Sequence, residues 1–393
     1  MKSRSTLGRD FLLALIRVMV NQAKWDIVII GGGLAGLTTA LRLATNNLKI
    51  CLIEKNEYPH HKVCGEYVNN EILPYLNSLK IDPFLVGAKQ ISKFQLTDLK
   101  GIPVNVKLPL GGFGLSRYAF DNLLFKSLQN KIEFLFDTVE QVSFQNNHFD
   151  ITTKGKANLK ASFVIGAFGK RSNIDLFLNR KFISQRSPWL AVKAHYDYDF
   201  PEDTVALHTF KGGYCGLSKT ETNAVNACYL ATFKSFKEHK NIETFQNTAL
   251  SKNPYLKSFF EEANPIFEKP LSISQISFQR KKPVENHIFM IGDSAGLIHP
   301  LCGNGMAMAI RSSQIFSNLF LDAFRNNDFD RNKLELKYTI HWQQEFGDRL
   351  KTGRFIQRIL MNPSTAKIGF TAARLVPALV PKIIEKTHGS PSK

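Results

Sequence analysis

The most regular pattern in the chain is a short apolar run followed by a glycine-rich turn and an apolar helical stretch. Residues 27–30 are all Ile or Val, which is typical of a strand buried on both faces of a parallel sheet. Gly31, Gly33 and Gly36 follow, and the apolar spacing over residues 37–43 predicts a helix. Gly31 permits a tight turn, Gly33 a close approach of the backbone to a pyrophosphate, and Gly36 close packing of helix on strand. The pattern predicts a dinucleotide-binding strand, turn and helix, with the phosphates at the start of the helix.

A second apolar run ends on an acidic residue at the distance that such a site requires. Residues 50–53 are apolar, and Glu54 follows them roughly 20 residues beyond the glycine turn. The Glu54 carboxylate is predicted to accept a hydrogen bond from a ribose hydroxyl, and its charge disfavours a 2′-phosphate there. A glycine triplet alone would be weak evidence, but here the strand, the helix and the acid accompany it.

A distant segment indicates which dinucleotide is bound. Residues 288–291 predict a buried strand that leads to Asp293 and then to the turn Gly303-Asn304-Gly305. A flavin dinucleotide is long, and Asp293 suits the hydroxyls of its ribityl chain. The glycine-flanked turn is predicted to present backbone amides at a helix start to the flavin pyrimidine edge. The alternative is that Asp293 only turns a loop and caps a helix.

Two further segments lie between these motifs, Lys62-Val63-Cys64-Gly65-Glu66 and Arg117-Tyr118-Ala119-Phe120-Asp121. With them the chain resembles the FAD-dependent oxidoreductases of the para-hydroxybenzoate hydroxylase fold, and most of all their geranylgeranyl reductase and FixC-like branch. The resemblance extends from Asp26 to the middle of the last quarter of the chain. It implies an α/β fold, in which a Rossmann-like FAD-binding domain of the glutathione reductase type is intertwined with an antiparallel-sheet substrate domain.

The resemblance also implies roles for single residues. It places Arg117 against the cofactor and gives Asp293 the ribityl and pyrophosphate region. NAD(P)H is the electron donor that it implies. The residues that it assigns to the ADP half of FAD are Gly31, Gly33, Gly36 and Glu54.

Two segments depart from the pattern of the family. Hydroxylases of this fold carry an Asp-Gly pair where this chain has Phe168 before Gly169, which puts the transfer of a hydroxylase NADPH site in doubt. Of the Tyr-x-Trp-x-Phe-Pro strand of the reductase branch only Tyr214 survives, within residues 212–219. The Trp-x-Trp-x-Ile-Pro segment of flavin halogenases does not occur, which argues against halogenation.

Length and composition favour intertwined regions over separate domains in series. The 393 residues are 44% hydrophobic and include 31 Phe, which is enough for a sizeable core. An N-terminal extension is predicted over 1–24, with an over-extended start before Met19 as the alternative, and secretion is not expected. The remaining predicted regions are FAD-binding parts over 24–86, 113–172 and 276–330, substrate-layer strands over 87–112, a substrate domain over 173–275 and a C-terminal helical region over 331–393.

The five cysteines lack the spacing and the accompanying histidines of a zinc site, so no metal is predicted. Cys51 and Cys228 lie in apolar runs and are expected to pack as small hydrophobes. The resemblance places Cys64, Cys215 and Cys302 near the flavin, and in the reductase branch a cysteine at the first of these positions lies against the isoalloxazine. The neighbouring Lys62 favours the thiolate form of Cys64, although an inert Cys64 thiol in the pocket wall is the alternative. Unpaired cysteines and the lack of an export signal predict a cytoplasmic protein.

The net charge of +18 is the strongest deviation in composition. Nucleic-acid binding is not predicted, because no nucleic-acid module is recognisable and the lysines are scattered. A lysine-rich proteome would explain the charge; anionic lipids on the inner face of a membrane or an acidic carrier protein are the partners that it otherwise implies. Residues 354–361 and 370–384 are basic and apolar together, which is typical of segments on a membrane surface and also of helices that close a core. The oligomeric state stays open.

The candidate catalytic residues are Cys64, Tyr214 and His299, in that order. FAD carries the redox chemistry, so the protein has to position the substrate and supply or remove protons. We expect reduction of carbon–carbon double bonds in an isoprenoid-, lipid- or polyketide-like substrate, because the Cys64 segment matches the reductase branch and Phe168 departs from the hydroxylases. The alternatives are a FAD-dependent monooxygenase of an aromatic or polyketide-like substrate and, as a non-enzyme, a dinucleotide-sensing or membrane-binding protein.

Overall fold

The computed structural model describes residues 24–326 and 330–389, so the predicted N-terminal extension lies outside the described residues apart from Lys24. The strands are β1 Lys24–Ile30, β2 Ile50–Glu54, β3 Tyr67–Asn69, β4 Lys89–Thr97, β5 Pro103–Gly114, β6 Glu133–Phe136, β7 Val139–Gln145, β8 His148–Thr153, β9 Asn158–Gly166, β10 Trp189–Asp197, β11 Thr204–Phe210, β12 Gly213–Lys219, β13 Val225–Thr232, β14 Asn264–Pro265, β15 Leu271–Ser274, β16 Val284–Glu285 and β17 Ile288–Met290. The α-helices are α1 Leu34–Leu43, α2 Leu73–Ser78, α3 Arg117–Leu128, α4 Asn173–Phe177, α5 Phe233–Lys237, α6 Ile242–Thr248, α7 Pro254–Glu262, α8 Gly305–Arg325, α9 Arg331–Met361, α10 Pro363–Leu375 and α11 Leu379–Thr387. Single 3-10 turns lie at Asn70–Ile72, Pro83–Val86, Leu250–Lys252, Gly292–Ser294 and Pro300–Cys302.

The first sheet holds the predicted dinucleotide-binding strand. Its order is β16-β17-β9-β1-β2-β6, and its neighbours from β17 to β6 are parallel. The central strand, β1, lies between β2 and β9, where Ile27 is opposite both Ile50 and Phe163. Residues 27–30 are buried, as the apolar run predicts for a strand with neighbours on both sides. The α1 helix packs against α3 and α8.

The second sheet has the order β14-β10-β13-β12-β11-β4-β5-β3, with β15 also paired to β10. Its pairs are antiparallel apart from β11 with β4. The chain enters this sheet after β2, returns to the first sheet for β6 to β9, builds β10 to β15 in the second and comes back for β16 and β17. The α/β fold with two intertwined domains, predicted from the sequence, is therefore confirmed.

The strands fall close to the division into regions that the sequence suggests. The segment 87–112 contains β4 and most of β5, and 173–275 contains β10 to β15. The short strand β3 pairs with β5, so its residues belong to the second sheet although they lie within the predicted FAD-binding part 24–86.

The C-terminal region is helical and packs on β5 of the second sheet. The long helix α9 packs against α8, α10 and α11, and the last two helices contact β5. Trp342 and Phe346 of α9 are buried in the main core, which shows that this helix closes the core. Within residues 24–326 and 330–389 no helix has both the length and the hydrophobicity needed to cross a membrane.

Candidate functional site

The glycine turn after β1 has backbone atoms in the place of a side chain at Gly31 and Gly36, two of the three glycines of the predicted motif. Gly31 has a φ of +109°, and a Cβ there would lie 2.4 Å from the carbonyl oxygen of Ala167. A Cβ on Gly36, in the first turn of α1, would lie 2.0 Å from the carbonyl oxygen of Gly31. These two glycines therefore allow the tight turn and the close contact of helix and strand that the motif predicts.

Glu54, the last residue of β2, is hydrogen-bonded to the same turn. Its carboxylate accepts hydrogen bonds from the backbone N–H of Gly32 at 2.7 Å and from that of Asn56 at 3.1 Å. These bonds fix the carboxylate beside the start of α1, where the ribose of a dinucleotide on this turn is expected.

Two cations flank the open side of the turn. Arg117 donates two hydrogen bonds of 2.8 Å to the Asp121 carboxylate, and Lys62 Nζ lies 2.9 Å from it. Burial alone would raise the pKa of Asp121, but Arg117 and Lys62 outweigh it and hold that pKa below its usual value. A Cβ on Gly33 would lie 3.3 Å from Arg117 Nη2, with no backbone atom within 4 Å. The missing side chain keeps a space open between two cations and a helix start, which is what a pyrophosphate requires.

One cavity of about 760 Å³ joins this turn to the second sheet and the C-terminal helices. The predicted cofactor residues Gly33, Arg117, Asp293, Gly303 and Gly305 lie in its wall. Much of the remaining wall is apolar and includes Phe94, Leu96, Leu207, Leu230, Phe355, Ile359, Phe370 and Ile384. The same cavity thus combines polar groups suited to a nucleotide with apolar side chains suited to a hydrocarbon chain.

Asp293 lies in the polar part of the cavity, on the 3-10 turn after β17. Burial raises the pKa of its carboxyl above the usual value, and the nearby Lys170, Lys281 and Arg117 oppose this rise without cancelling it. The turn Gly303-Asn304-Gly305 leads into α8, with Gly303 at a φ of +63°. These features fit a bound ribityl chain and flavin ring, which would bring hydroxyl and amide partners to buried polar groups.

The Asn304 side chain has a contact that the sequence did not indicate. Its Nδ2 donates a hydrogen bond of 2.8 Å to the carbonyl oxygen of Thr387 in α11, while its buried Oδ1 has no partner in the part of the chain that the structure describes. His388 donates from Nε2 to the carbonyl oxygen of Cys302 at 2.8 Å. The end of the C-terminal helix therefore supports the turn that is predicted to bind the flavin pyrimidine edge.

The loop that carries Cys64 is fixed through three consecutive backbone carbonyl groups. The oxygen of Lys62 accepts a hydrogen bond from Lys193 at 3.3 Å, that of Val63 from Lys170 at 3.2 Å, and that of Cys64 from Asn226 at 3.2 Å. Each donor comes from a distant part of the chain, and the loop lines the cavity. The structure thus holds Cys64 in a defined place in the cavity wall.

A buried charge cluster lies behind this loop. The Glu66 carboxylate is paired with Lys193 Nζ at 2.5 Å, and it accepts hydrogen bonds from His195 Nε2 at 2.7 Å and from the Arg117 backbone N–H at 2.7 Å. Burial alone would raise the pKa of Glu66, but Lys193 and the hydrogen bond with His195 outweigh it and lower that pKa. His61, Glu66 and His195 are residue types that bind metal ions, and their nitrogen and oxygen ligand atoms lie within 4.8 Å of one another. The Lys193 ammonium already neutralises the carboxylate of this group.

Tyr214 and His299 lie next to each other but differ in their access to the cavity. Tyr214 lines the cavity, and its hydroxyl is 3.4 Å from His299 Nδ1. Burial raises the pKa of Tyr214 well above its usual value and lowers that of His299 to about 3, so both groups are neutral at pH 7. His299 packs against Phe278 and Trp189, and its Nε2 has no hydrogen-bond partner among residues 24–326 and 330–389. His299 therefore contacts Tyr214 without lining the cavity itself.

The structure corrects two expectations about cysteines. Cys215 was expected near the flavin, but it is buried in the core on the other side of the second sheet, and burial raises its pKa well above the usual value. Cys228 was expected to pack as a core residue, yet it lines the cavity. Both differences follow from the alternation of side chains along β12 and β13, which sequence patterns with apolar residues on both faces do not reveal. Cys64 and Cys302 line the cavity, and their predicted place near the flavin stays a prediction.

The chain is similar to known flavoproteins in sequence. A model of the pyridine nucleotide-disulphide oxidoreductase family matches residues 25–178, which contain the glycine turn and the Cys64 loop. Digeranylgeranylglycerophospholipid reductase 3 of Methanosphaera stadtmanae is 22% identical over 396 residues, covering 94% of this chain and 95% of that protein.

Solved structures share the whole architecture. A geranylgeranyl bacteriochlorophyll reductase-like protein of Thermoplasma acidophilum has a TM-score of 0.72 at 19% identity, with 94% of both chains covered. The flavin-dependent brominase Bmp2 has a TM-score of 0.75 at 17% identity, with 93% of both chains covered. At these identities the likeness shows the fold and leaves the reaction to be argued from the site. The chain therefore has the fold of the FAD-dependent oxidoreductases of the para-hydroxybenzoate hydroxylase type, and its sequence is similar to those of geranylgeranyl reductases.

Proposed function

We propose that this enzyme reduces carbon–carbon double bonds in the isoprenoid chain of a lipid. The observation that carries the proposal is the continuity of one cavity from the nucleotide end at Gly33 and Asp293 to an apolar wall of sheet and C-terminal helices. Burial against this apolar wall stabilises a bound hydrocarbon chain, whereas a small free acid would find few polar partners there. The similarity to a digeranylgeranylglycerophospholipid reductase over nearly the full length supports this substrate class.

The residues of the protein have three tasks in such a reaction: they donate a proton, position the lipid chain and exclude water. FAD, once bound and reduced by NAD(P)H, would supply the hydride chemistry for one carbon of the double bond, and the second carbon needs a proton from the protein. Cys64 and Tyr214 line the cavity and carry S–H and O–H protons. Burial raises the pKa of Tyr214 well above its usual value, which makes its hydroxyl a weaker proton donor, and we therefore rank Cys64 first. The apolar wall positions the chain and excludes water from the reacting carbons.

The electron donor in this proposal is NAD(P)H, in a reducing cytosol. The match to a family named for pyridine nucleotides supports the donor, and the free cysteines fit the compartment. For each double bond, one NAD(P)H and one proton are consumed and two hydrogen atoms are added to the lipid.

The test is an anaerobic assay of the FAD-loaded protein with NADH or NADPH and an unsaturated archaeal-type lipid that carries geranylgeranyl chains. Mass spectrometry of the lipid should show the addition of two hydrogen atoms per double bond, and in D₂O the carbon that receives the proton should carry deuterium. Under air, incorporation of labelled oxygen into a product would instead support the monooxygenase alternative. A protein that contains no flavin after reconstitution would contradict both enzyme readings.

A further inference from the structure

The apolar cavity reaches the surface at the C-terminal helices. Phe355 of α9 and Ile383 of α11 both line the cavity, and they are 60% and 44% exposed. Lys386 and Lys351 line it as well and are also exposed, and Lys351 forms an ion pair of 2.9 Å with Asp348. A side chain that contacts both the cavity and the solvent has to lie where the two meet. These four residues therefore mark a mouth with an apolar centre and positive charge beside it.

The helices around this mouth carry large apolar side chains that no other part of the described chain covers. Ile368 of α10 is 70% exposed and Leu375 at its end is 78% exposed. Val376 and Leu379 follow, at 49% and 40%. Single exposed apolar residues are ordinary, but here several lie on three packed helices at the entrance of a cavity. We call this set, with Phe355 and Ile383, the C-terminal apolar face.

The same helices are strongly basic. Arg354 and Arg358 are one turn apart on α9, and Arg280 lies close enough for repulsion from both arginines to add to burial in lowering the pKa of Arg354. No carboxylate among residues 24–326 and 330–389 forms an ion pair with any of these three. Between residues 351 and 389 the only acidic residue is Glu385, and the basic ones are Lys351, Arg354, Arg358, Lys367, Arg374, Lys382 and Lys386.

We infer that the C-terminal apolar face docks on an anionic lipid bilayer, so that the mouth of the cavity opens directly into the membrane. Apolar side chains would enter the acyl boundary, and the surrounding Lys and Arg would contact phosphate headgroups. A lipid chain could then enter the cavity without crossing water. Entry of the substrate rests on the proposed function, whereas docking itself does not depend on the reaction. An acidic carrier protein would explain the charge but leaves the exposed apolar side chains without a partner.

The face is held in a fixed place on the protein. Arg374 of α10 forms an ion pair of 2.8 Å with Asp98, next to β4, and α10 and α11 pack on β5 through Ala373 and Val380. Docking therefore requires no rearrangement of these helices, and the FAD-loaded full chain can be tested as it is.

The first experiment is co-sedimentation of the full FAD-loaded chain with vesicles. One set contains phosphatidylglycerol mixed with phosphatidylcholine, and the other contains phosphatidylcholine alone. We expect binding to the anionic vesicles at about 0.1 M salt and release at about 1 M, because the screening length falls from about 10 Å to about 3 Å. Absence of binding to anionic vesicles at low salt would overturn the inference, and so would stronger binding to an acidic carrier protein than to the vesicles.

Two double variants test the surface, and neither involves a residue of the cavity wall. Ile368→Glu with Leu375→Glu removes apolar contacts, and Arg354→Glu with Arg358→Glu reverses charge; each should weaken vesicle binding roughly tenfold or more. The matched controls are Leu85→Glu with Leu176→Glu, at positions that are 83% and 56% exposed, and Lys154→Glu with Lys156→Glu on the exposed turn between β8 and β9. Equal losses in the variants and the controls would contradict the assignment to this face.

A comparison of substrates separates docking from chemistry. The face variants should lose turnover of a lipid embedded in vesicles and keep turnover of a short isoprenoid alcohol dispersed in detergent. If wild-type protein binds anionic vesicles as described but reduces neither substrate, the proposed function fails and the docking surface stands. If the variants reduce the embedded lipid as fast as wild type, the mouth does not take its substrate from the membrane.

Discussion

Lys193 and Glu66 form an ion pair in the interior, with 2.5 Å between Nζ and Oε1 and no exposure of either side chain. Lys193 lies in the middle of β10, and Glu66 precedes β3 by one residue, 127 positions earlier in the chain. The same ammonium group donates a hydrogen bond to the carbonyl oxygen of Lys62. The pair therefore ties the second sheet to the loop that presents Cys64, and it does so with charges that are costly to bury alone.

Replacing only one residue of the Lys193–Glu66 pair should lower the free energy of unfolding more than replacing both. Lys193→Met leaves the Glu66 carboxylate buried without its cation, and we expect a loss of roughly 3–5 kcal/mol in the free energy of unfolding. Lys193→Met with Glu66→Gln should recover part of this loss, because no charge is then buried. Denaturant unfolding of the FAD-saturated proteins measures both. The control is Lys89→Met, which breaks the surface pair with Glu202 and should cost at most about 1 kcal/mol. Equal costs for Lys89→Met and Lys193→Met would contradict the role of the buried pair.

Acid should destabilise the protein through buried histidines. Burial lowers the pKa of His208 and that of His388 to about 4, and both side chains are buried. In the unfolded chain these groups bind protons near pH 6.5, so between pH 6.5 and 4 the unfolded state binds more protons than the folded one. The free energy of unfolding should therefore be highest above pH 6.5 and fall as the pH decreases toward 4. Unfolding midpoints measured from pH 7.5 to 4.5 give the slope.

His208→Gln provides the check on this assignment. His208 Nδ1 lies 2.9 Å from the Thr97 hydroxyl, and an amide can keep a hydrogen bond there without titrating. The variant should show a shallower decline in stability over the same pH range. An unchanged slope would mean that other groups cause the acid sensitivity.

The glycines of the turn should separate cofactor binding from folding. A side chain at Gly36 meets the backbone of Gly31, so Gly36→Val should lower the stability of the protein without FAD by roughly 1–3 kcal/mol. A side chain at Gly33 meets only the ends of Arg117 and Lys62, so Gly33→Val should leave that stability nearly unchanged and fill the space for the pyrophosphate. Flavin content after reconstitution and thermal unfolding of the apo-protein measure the two effects. Normal flavin content in Gly33→Val would contradict the placement of the pyrophosphate.

The parts of the site that are local in sequence could be predicted, and those that depend on distant contacts could not. The turn from Gly31 to Gly36 and the acid at Glu54 lie within one strand–helix–strand unit, whose spacing fixes their geometry. The donors to the Cys64 loop come from β10, β13 and the loop after β9, so no spacing in the sequence could indicate them. The mouth of the cavity likewise depends on how α9 and α11 pack on the second sheet.

The sharpest test of the chemistry is the comparison of two cysteines in the same cavity wall. Cys64 lies on the loop with three fixed carbonyl groups, whereas Cys228 lies on β13, where burial raises the pKa of its thiol to about 12. If Cys64 supplies the proton, Cys64→Ala should lower turnover by about 100-fold or more, Cys64→Ser should keep more activity than Cys64→Ala, and both should keep their flavin. Cys228→Ala alters the wall by a similar volume and should change turnover only slightly. Undiminished turnover in Cys64→Ala would exclude the thiol as the donor and leave the Tyr214 hydroxyl, which Tyr214→Phe would then test.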